Sequence, residues 1–293
     1  MFNKNSTEYL TGYFGKLPEF NDFIKFNSAS SEITFIDNWL QEGLSYTKLK
    51  YKSEWKAKYE TLPPTNFFIP VPSSEKFAAG MIYASKDNSN RDFHFIIFSI
   101  IPFKQLDEFH LIPNELDQVI KTLDCHLRKE EDLLSLNNTL KTYSINLSEG
   151  NSLKNNFHQY LSHTQIAEFF RRTKLNNLSG NIKEMIYTDS TFLKISFSSD
   201  ELHFCNDAGF IIYLLTKKMN FTIQHSSLFW NMKNDEQFQI LIFPFKLSPI
   251  NFSDLISLGN EDKRRIELNN SDEYHEDNSI DESVSLLEYL KNF

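Results

Sequence analysis

The stretch Phe93-His-Phe-Ile-Ile-Phe-Ser-Ile-Ile101 is apolar at every position except His94 and Ser99. A strand that is apolar without alternation is usually covered on both of its faces. The stretch therefore predicts a central strand of a sheet that carries helices on its two sides, which is the arrangement of a mixed α/β protein.

Three further strands are predicted before it. Asn66–Pro70 and Ala79–Ala84 are short apolar runs, and the polar segment 85–92 has the composition of a turn that joins the second run to the central strand. Near the start, a short aromatic run lies between Gly12 and Gly15 and is followed by Pro18. Since glycine tolerates unusual backbone angles and proline ends strands, this segment is interpreted as a short strand that enters a loop.

Helical periodicity is clearest between the first and second predicted strands. One apolar face is formed by Ile36, Trp39, Leu40, Gly43, Leu44 and Thr47. A short amphipathic turn with Trp55 and Tyr59 follows and ends before Pro63. Beyond the central strand, Pro113 suits the first position of a helix whose stripe is Leu116, Val119, Ile120, Leu123 and Leu127. We expect the aromatic residues Trp39, Trp55 and Phe67 to be core residues rather than contact residues.

The later half is less regular. Residues 136–161 are rich in Asn and Ser, which fits a loop, a weakly marked helix or a joint between two halves. An alternating strand is predicted at Phe192–Ser198, a strand pair near Phe221–Ile223 and Phe238–Phe243, and a short helix at Ile250–Leu258.

The end of the chain is acidic. Residues 260–293 hold ten acidic and four basic residues, and only a late patch from Val284 to Leu290 is apolar. Low hydrophobicity and high charge predict a tail that is flexible or folds on a partner, so its deletion should leave the melting temperature nearly unchanged.

Composition and charge indicate which classes of protein are not expected. A net charge of −9 gives no broad cationic field for a phosphate backbone, so we do not expect nucleic-acid binding. The two cysteines, Cys125 and Cys205, lie far apart and are interpreted as ordinary buried thiols. No secretory signal and no membrane span is predicted, since the longest apolar runs, such as Phe210–Leu215, are short, and we expect a cytoplasmic protein.

Ser85, Asp87 and Arg91 form the most site-like polar group. One interpretation is a loop that binds a partner or an anion, with Arg91 as a bidentate donor. Another is a turn held together locally, in which Asp87 accepts backbone N–H groups and pairs with Arg91. A third makes Ser85 a nucleophile, which requires a positioned base, and no Gly-x-Ser-x-Gly elbow surrounds it. Lys16 and Asp22 either line the same surface or are ordinary solvated charges.

Cofactor and metal motifs are not found in the sequence. The eight histidines do not fall at metal-ligand spacings, and Gly12-Tyr-Phe-Gly15 lacks the Lys-Ser/Thr ending of a phosphate-binding loop. We therefore expect no metal and no cofactor.

The spaced residues resemble the TagF (ImpM) family of type VI secretion proteins. The resemblance starts at Gly12-Tyr-Phe-Gly-Lys-Leu-Pro18 and Asp22-Phe23 and continues through Trp39-Leu-Gln-Glu-Gly-Leu44, then Trp55, Tyr59, Pro64 and Phe67. The family's Ser-x-Asp-x-x-Gly-Arg signature is met at Ser85, Asp87 and Arg91, but Asn90 replaces Gly and Phe93-His94 replaces Phe-Pro. Because Asn tolerates a left-handed backbone, we expect the turn to be kept. Ser226-Ser-Leu-Phe-Trp230 is similar to a later Ser-Leu-Trp-Trp element.

This resemblance implies a three-layer α/β/α sandwich around a mixed sheet. The chain is therefore predicted to consist of a TagF-like N-terminal α/β region at 1–135 and a C-terminal α/β portion of the same unit at 136–259, followed by the flexible acidic tail at 260–293, which lies outside the resemblance. The function it implies is post-translational regulation, in general repression, of type VI secretion assembly by protein–protein binding, through the forkhead-associated scaffold protein. Two alternatives stay open: a structural or baseplate-associated component, and an enzyme that uses Ser85, Asp87 and Arg91.

Overall fold

The protein is built on one sheet of nine described strands. The computed structural model describes residues 9–106, 108–129, 132–143, 145, 147, 150–175, 192–219, 222–234, 237–257, 265–268 and 283–292. The strands are β1 Leu10–Gly15, β2 Ile24–Phe26, β3 Thr65–Pro70, β4 Lys76–Tyr83, β5 Phe95–Pro102, β6 Phe192–Ser198, β7 Ser227–Asn234, β8 Gln237–Phe243 and β9 Arg265–Leu268. Their order is β2-β1-β5-β4-β3-β7-β8-β6-β9. All neighbours are antiparallel except β6 and β9, which are parallel, so the sheet is mixed.

Helices surround this sheet. In chain order they are α1 Ser31–Tyr51, α2 Trp55–Glu60, α3 Ile112–Lys129, α4 Leu133–Thr142, α5 Gly150–His163, α6 Ile166–Thr173, α7 Phe204–Met219, α8 Pro249–Ser257 and α9 Leu286–Asn292. Short 3₁₀ turns are present at Lys52–Glu54, Phe103–Gln105 and Phe109–Leu111. The protein is therefore a mixed α/β protein, as the sequence predicts.

The predicted central strand is confirmed. Strand β5 lies between β1 and β4, and its residues are buried from Phe95 through Ile101. It begins two residues later than predicted, because the backbone N–H of Phe93 instead bonds to the carbonyl of Ser85, 3.0 Å away, and closes the turn that precedes the strand.

Side chains of β5 alternate between two separate cores. Phe95 and Ile97 pack with helix α3, whereas Ile96 and Phe98 belong to the core on the side of α1 and α8. Because successive side chains of a strand point to opposite faces, helices cover both faces of the sheet. This arrangement explains why the strand has no polar alternation.

The predicted face of α1 is buried along its full length. Ser30 caps the helix by accepting a hydrogen bond from the backbone N–H of Ile33. Gly43 on this face lies against Phe252 of α8, and a Cβ atom added to Gly43 would come within 2.3 Å of the Phe252 Cβ. Only glycine fits this helix contact. Trp39 and Phe67 are core residues as predicted, whereas Trp55 is only half-buried and lies under the ammonium of Lys48.

Several expectations for the later half are corrected. Strand β7 starts at Ser227, so the prediction near Phe221–Ile223 is wrong: residues 222 and 223 do not belong to a strand, and Phe221 lies outside the described residues. The Asn- and Ser-rich segment 136–161 contains much of the two helices α4 and α5. Both cysteines are free thiols that are partly exposed rather than fully buried.

The acidic tail differs from the expectation at two places. Strand β9 pairs with β6, and α9 docks on the loop between α5 and α6, where the backbone N–H of Leu286 donates to Thr164 and that of Ile166 donates to Val284. Leu286 is fully buried. The tail thus contains a strand and a helix within its described residues, and Val284, Leu287, Tyr289 and Leu290 pack against the core; residues 269–282 lie outside the described residues.

Candidate functional site

The turn between β4 and β5 carries the three residues of the predicted signature. Its backbone is closed by hydrogen bonds from Asp87 N to Arg91 O, at 3.2 Å, and from Asn90 N to Asp87 O, at 2.9 Å. Asn90 has a φ of 58°, in the left-handed region. The expectation that Asn keeps the turn at this position is thus confirmed.

Asp87 organises the turn through both oxygens of its buried carboxylate. Oδ1 accepts hydrogen bonds from the backbone N–H groups of Ser89 and Arg91, each 2.9 Å away. Oδ2 lies 2.7 Å from the Arg91 Nε and 2.9 Å from the Lys16 Nζ. Although burial opposes ionisation, the Arg91 backbone N–H and the two cationic side chains outweigh it and hold the pKa of Asp87 well below its usual range. We call Lys16, Asp87 and Arg91 the Asp87 cluster.

The Asp87 cluster joins the turn to the loop that follows β1. Arg91 Nη2 donates to the carbonyl of Asn21 at 2.6 Å, and the backbone N–H of Asn88 donates to that of Phe20 at 2.9 Å. The two segments thus form one unit, as the sequence suggests. Asp22 is exposed, and among the residues that the structure describes its carboxylate accepts a hydrogen bond only from the neighbouring backbone N–H of Phe23, at 2.8 Å.

An aromatic and a cationic side chain are presented on the outside of this unit. The Phe23 ring is 48% exposed and meets the ring of Phe93 edge-on at 4.8 Å. The Lys16 Nζ lies 5.1 Å from the Phe23 ring centroid, and the Arg91 side chain is 58% exposed. We call this patch the Phe23–Arg91 surface. From the sequence, Phe23 is named only as part of the family resemblance and not as a site residue.

Ser85 has no catalytic partner in the described part of the chain. Its backbone N–H donates to the Tyr59 hydroxyl at 3.0 Å, and that hydroxyl lies 3.2 Å from Nδ1 of His94. His94 is fully buried, and burial, with the nearby charge of Lys48, lowers its pKa to about 3. The imidazole is therefore neutral and bonds to Tyr59, and no described hydrogen bond links it to the Ser85 hydroxyl.

A second polar cluster, which the sequence does not reveal, lies in the later half. The fully buried Asp207 accepts bonds from Arg172 Nη2 at 2.7 Å and Nε at 2.9 Å. The hydroxyls of Tyr160 and Ser199 complete its shell. Burial and the Asp207 charge raise the pKa of Tyr160. Because every oxygen of Asp207 is paired, the cluster links α5, α6 and α7 to the end of β6 and offers no free group for a ligand.

One protein-family model matches the part of the sequence that contains the candidate site. The family described as "TagF N-terminal domain, Type VI secretion system-associated" matches residues 12–142. Residues 12–142 are thus similar to a TagF N-terminal domain, and we call them the TagF domain for this reason. No curated protein matches the sequence.

A solved structure shares the fold. PA0076 from Pseudomonas aeruginosa PAO1 superposes with a TM-score of 0.51 at 12% sequence identity, covering 86% of this chain and 96% of that chain. At this identity the likeness shows the fold alone. The part of this chain that superposes on PA0076 extends well beyond residues 12–142.

The TagF domain contains all the candidate residues, since it spans β1–β5 and α1–α4. Its boundary does not interrupt the sheet: β3 in the domain pairs with β7 beyond it, with Asn66 opposite Trp230. Within the described residues, no cluster of His, Cys, Asp and Glu is arranged to hold a metal ion, and no helix has the length and hydrophobicity to cross a membrane.

Proposed function

We propose that this TagF-domain protein regulates type VI secretion after translation, as a repressor of apparatus assembly, by binding partner proteins. The family match supports an accessory role in this secretion system. The Phe23–Arg91 surface carries the proposal of binding, since aromatic residues, including Phe, and Arg are enriched at protein interfaces.

The geometry favours binding because the surface is pre-organised. Two loops are joined by the buried Asp87 carboxylate, which forms ion pairs with both Lys16 and Arg91. Holding contact side chains in place before association reduces the entropy lost on binding. In this proposal Asp87 and Lys16 position the surface, Phe23 and the free edge of Arg91 contact the partner, and Ser85 and Asp22 lie at its border.

Two alternatives compete with this proposal. In the first, the protein is a structural or baseplate-associated component, which predicts co-purification with the assembled apparatus. In the second, it is an enzyme that uses Ser85, Asp87 and Arg91. The enzyme is the weaker alternative, because the Asp87 carboxylate is already engaged by two cations and two backbone N–H groups.

The rest of the proposal follows the family resemblance. The partner is the forkhead-associated scaffold protein, and the site of action is the cytoplasm. The three-layer α/β/α sandwich is also proposed, and the two separate cores on opposite sides of the sheet support it.

The test is co-purification of the scaffold with the tagged protein. Arg91→Glu should abolish recovery of the scaffold, whereas Ser85→Ala should leave it unchanged. Asp22→Asn is the matched control, since it alters an exposed charge in the same loop. Normal scaffold recovery with Arg91→Glu would overturn the proposed surface, and recovery of the assembled apparatus instead of the scaffold would favour the structural alternative.

A further inference from the structure

We propose that a cleft separate from the Phe23–Arg91 surface binds a segment of a partner protein that contains acidic and apolar side chains. The cleft has a volume of about 790 Å³ and lies where β3 ends at Pro70, β4 begins at Lys76, β5 ends at Pro102 and β7 begins at Ser227. The Ser85–Arg91 turn follows the other end of β4. Eight residues of strand separate the two places, about 26 Å at the usual rise per residue.

The walls of the cleft are apolar. They are formed by residues from three loops at this end of the sheet: Pro70, Val71, Pro72, Pro102, Phe103 and Leu247. Phe245, two residues before Leu247, is 69% exposed, which is high for an aromatic side chain. Exposed apolar surface of this kind is typical of a surface that another protein covers.

The rim of the cleft is cationic. Lys104 and Lys246 are exposed lining residues, and Lys76 also lines the cleft, where Glu75 is the acidic residue among the lining residues. Lys76 is already paired with Glu32 at 3.6 Å. Lys104 and Lys246, by contrast, form no ion pair with any residue of the ranges that the structure describes. We call this site the lysine cleft.

The charge of the lysine cleft points to an acidic occupant. The protein as a whole carries a net charge of −9, whereas at the cleft Lys76, Lys104 and Lys246 outnumber the carboxylates of Glu75 and Glu32, so the sign of the charge is locally reversed. Complementary charge steers association and selects among partners. A free anion would use the rim and leave the apolar walls exposed to water, whereas a peptide that alternates acidic and apolar side chains covers both.

This inference does not depend on the Phe23–Arg91 surface. The two sites lie at opposite ends of β4 and share no residue, so each is tested by its own variants. Loss of scaffold recovery with Arg91→Glu tests the proposed function, and the peptide experiment below tests the lysine cleft.

The experiment measures fluorescence anisotropy of a fluorescein-labelled decapeptide of alternating Glu and Leu, titrated with the full chain. The variant Lys104→Glu/Lys246→Glu should weaken binding at least tenfold. The control Lys129→Glu/Lys141→Glu makes the same charge change at exposed lysines near the ends of α3 and α4, and should stay within twofold of the wild type. Melting temperatures of both variants confirm that they are folded.

A second peptide, in which Ser replaces Leu, tests the apolar walls and should bind at least fivefold more weakly. Equal weakening by both lysine pairs would show unspecific attraction and overturn the proposal. Equal affinity for the Leu and Ser peptides, displacement by millimolar inorganic phosphate, or no measurable binding would overturn it as well.

Discussion

The Lys16 ammonium lies 2.9 Å from the Asp87 carboxylate and joins the loop after β1 to the turn between β4 and β5. Both groups are almost fully buried, at 8% and 0% side-chain exposure. A buried ion pair is costly to break at one partner, because the other charge is left without compensation. The Phe23–Arg91 surface therefore depends on Asp87, although Asp87 itself does not reach the solvent.

Asp87→Asn should lower the melting temperature by several degrees. The amide oxygen can still accept the backbone N–H groups, but the charge opposite Lys16 is lost. Asp22→Asn, which changes an exposed carboxylate in the adjoining loop, should leave the melting temperature unchanged. Calorimetry on both variants checks this; equal melting temperatures for Asp87→Asn and wild type would show that the pair does not hold the two loops together.

Stability should fall as the pH drops below about 6.5, the ordinary pKa of histidine. His94 has a pKa of about 3 in the folded protein, so the unfolded chain binds the extra proton between these values. The contribution of neutral His94 to the free energy of unfolding is fully present above pH 6.5 and is lost as the pH falls towards 3. About 2 kcal/mol of it is lost by pH 5.

The contribution of His94 is isolated with His94→Asn, which keeps a donor near Nδ1 and does not titrate. Urea unfolding at pH 8 and pH 5 gives the free energy of unfolding of both proteins. The difference between the variant and the wild type should shrink at pH 5. A difference that does not change with pH would contradict the neutral, buried state of His94.

Replacing Asn90 tests the left-handed turn. Asn90→Gly should keep or slightly raise stability, whereas Asn90→Val should cost about 1–2 kcal/mol, since a branched side chain opposes a positive φ. Ser89→Val in the same turn is the control, because Ser89 contributes only its backbone N–H to Asp87. The result is read from urea denaturation, and equal costs at both positions would argue against backbone strain.

The tail helix α9 should contribute to stability. Its first turn carries a capping box, in which Ser285 and Glu288 each accept the other's backbone N–H. Leu286→Ala should cost about 2–5 kcal/mol, the usual range for a fully buried leucine. Leu134→Ala, at a leucine that is 71% exposed, should cost little. An unchanged melting temperature after deletion of residues 283–293 would restore the sequence-based expectation of a flexible tail.

Some elements of the structure could be predicted from the sequence and others could not. The central strand β5, the face of α1 and the Ser85–Arg91 turn were predictable, because each is encoded by local periodicity or by turn residues. The Lys16–Asp87 pair joins two loops that are distant in the chain. The sequence could place both residues in loops at the same end of the sheet, but it could not predict their contact. Helix α9 was not predicted, since the acidic residues before it dominate the composition of the tail. The lysine cleft was not predictable, because its cations come from separate loops.

Whether the protein regulates secretion by binding rather than by catalysis is tested by sheath assembly in cells. Assembly events are counted by fluorescence microscopy in cells that produce wild type, Phe23→Ala/Arg91→Glu or Ser85→Ala at equal levels. We expect the surface variant to give as many events as a strain that lacks the protein, and Ser85→Ala to repress like the wild type. Repression that survives in the surface variant but is lost with Ser85→Ala would contradict regulation by binding through the Phe23–Arg91 surface.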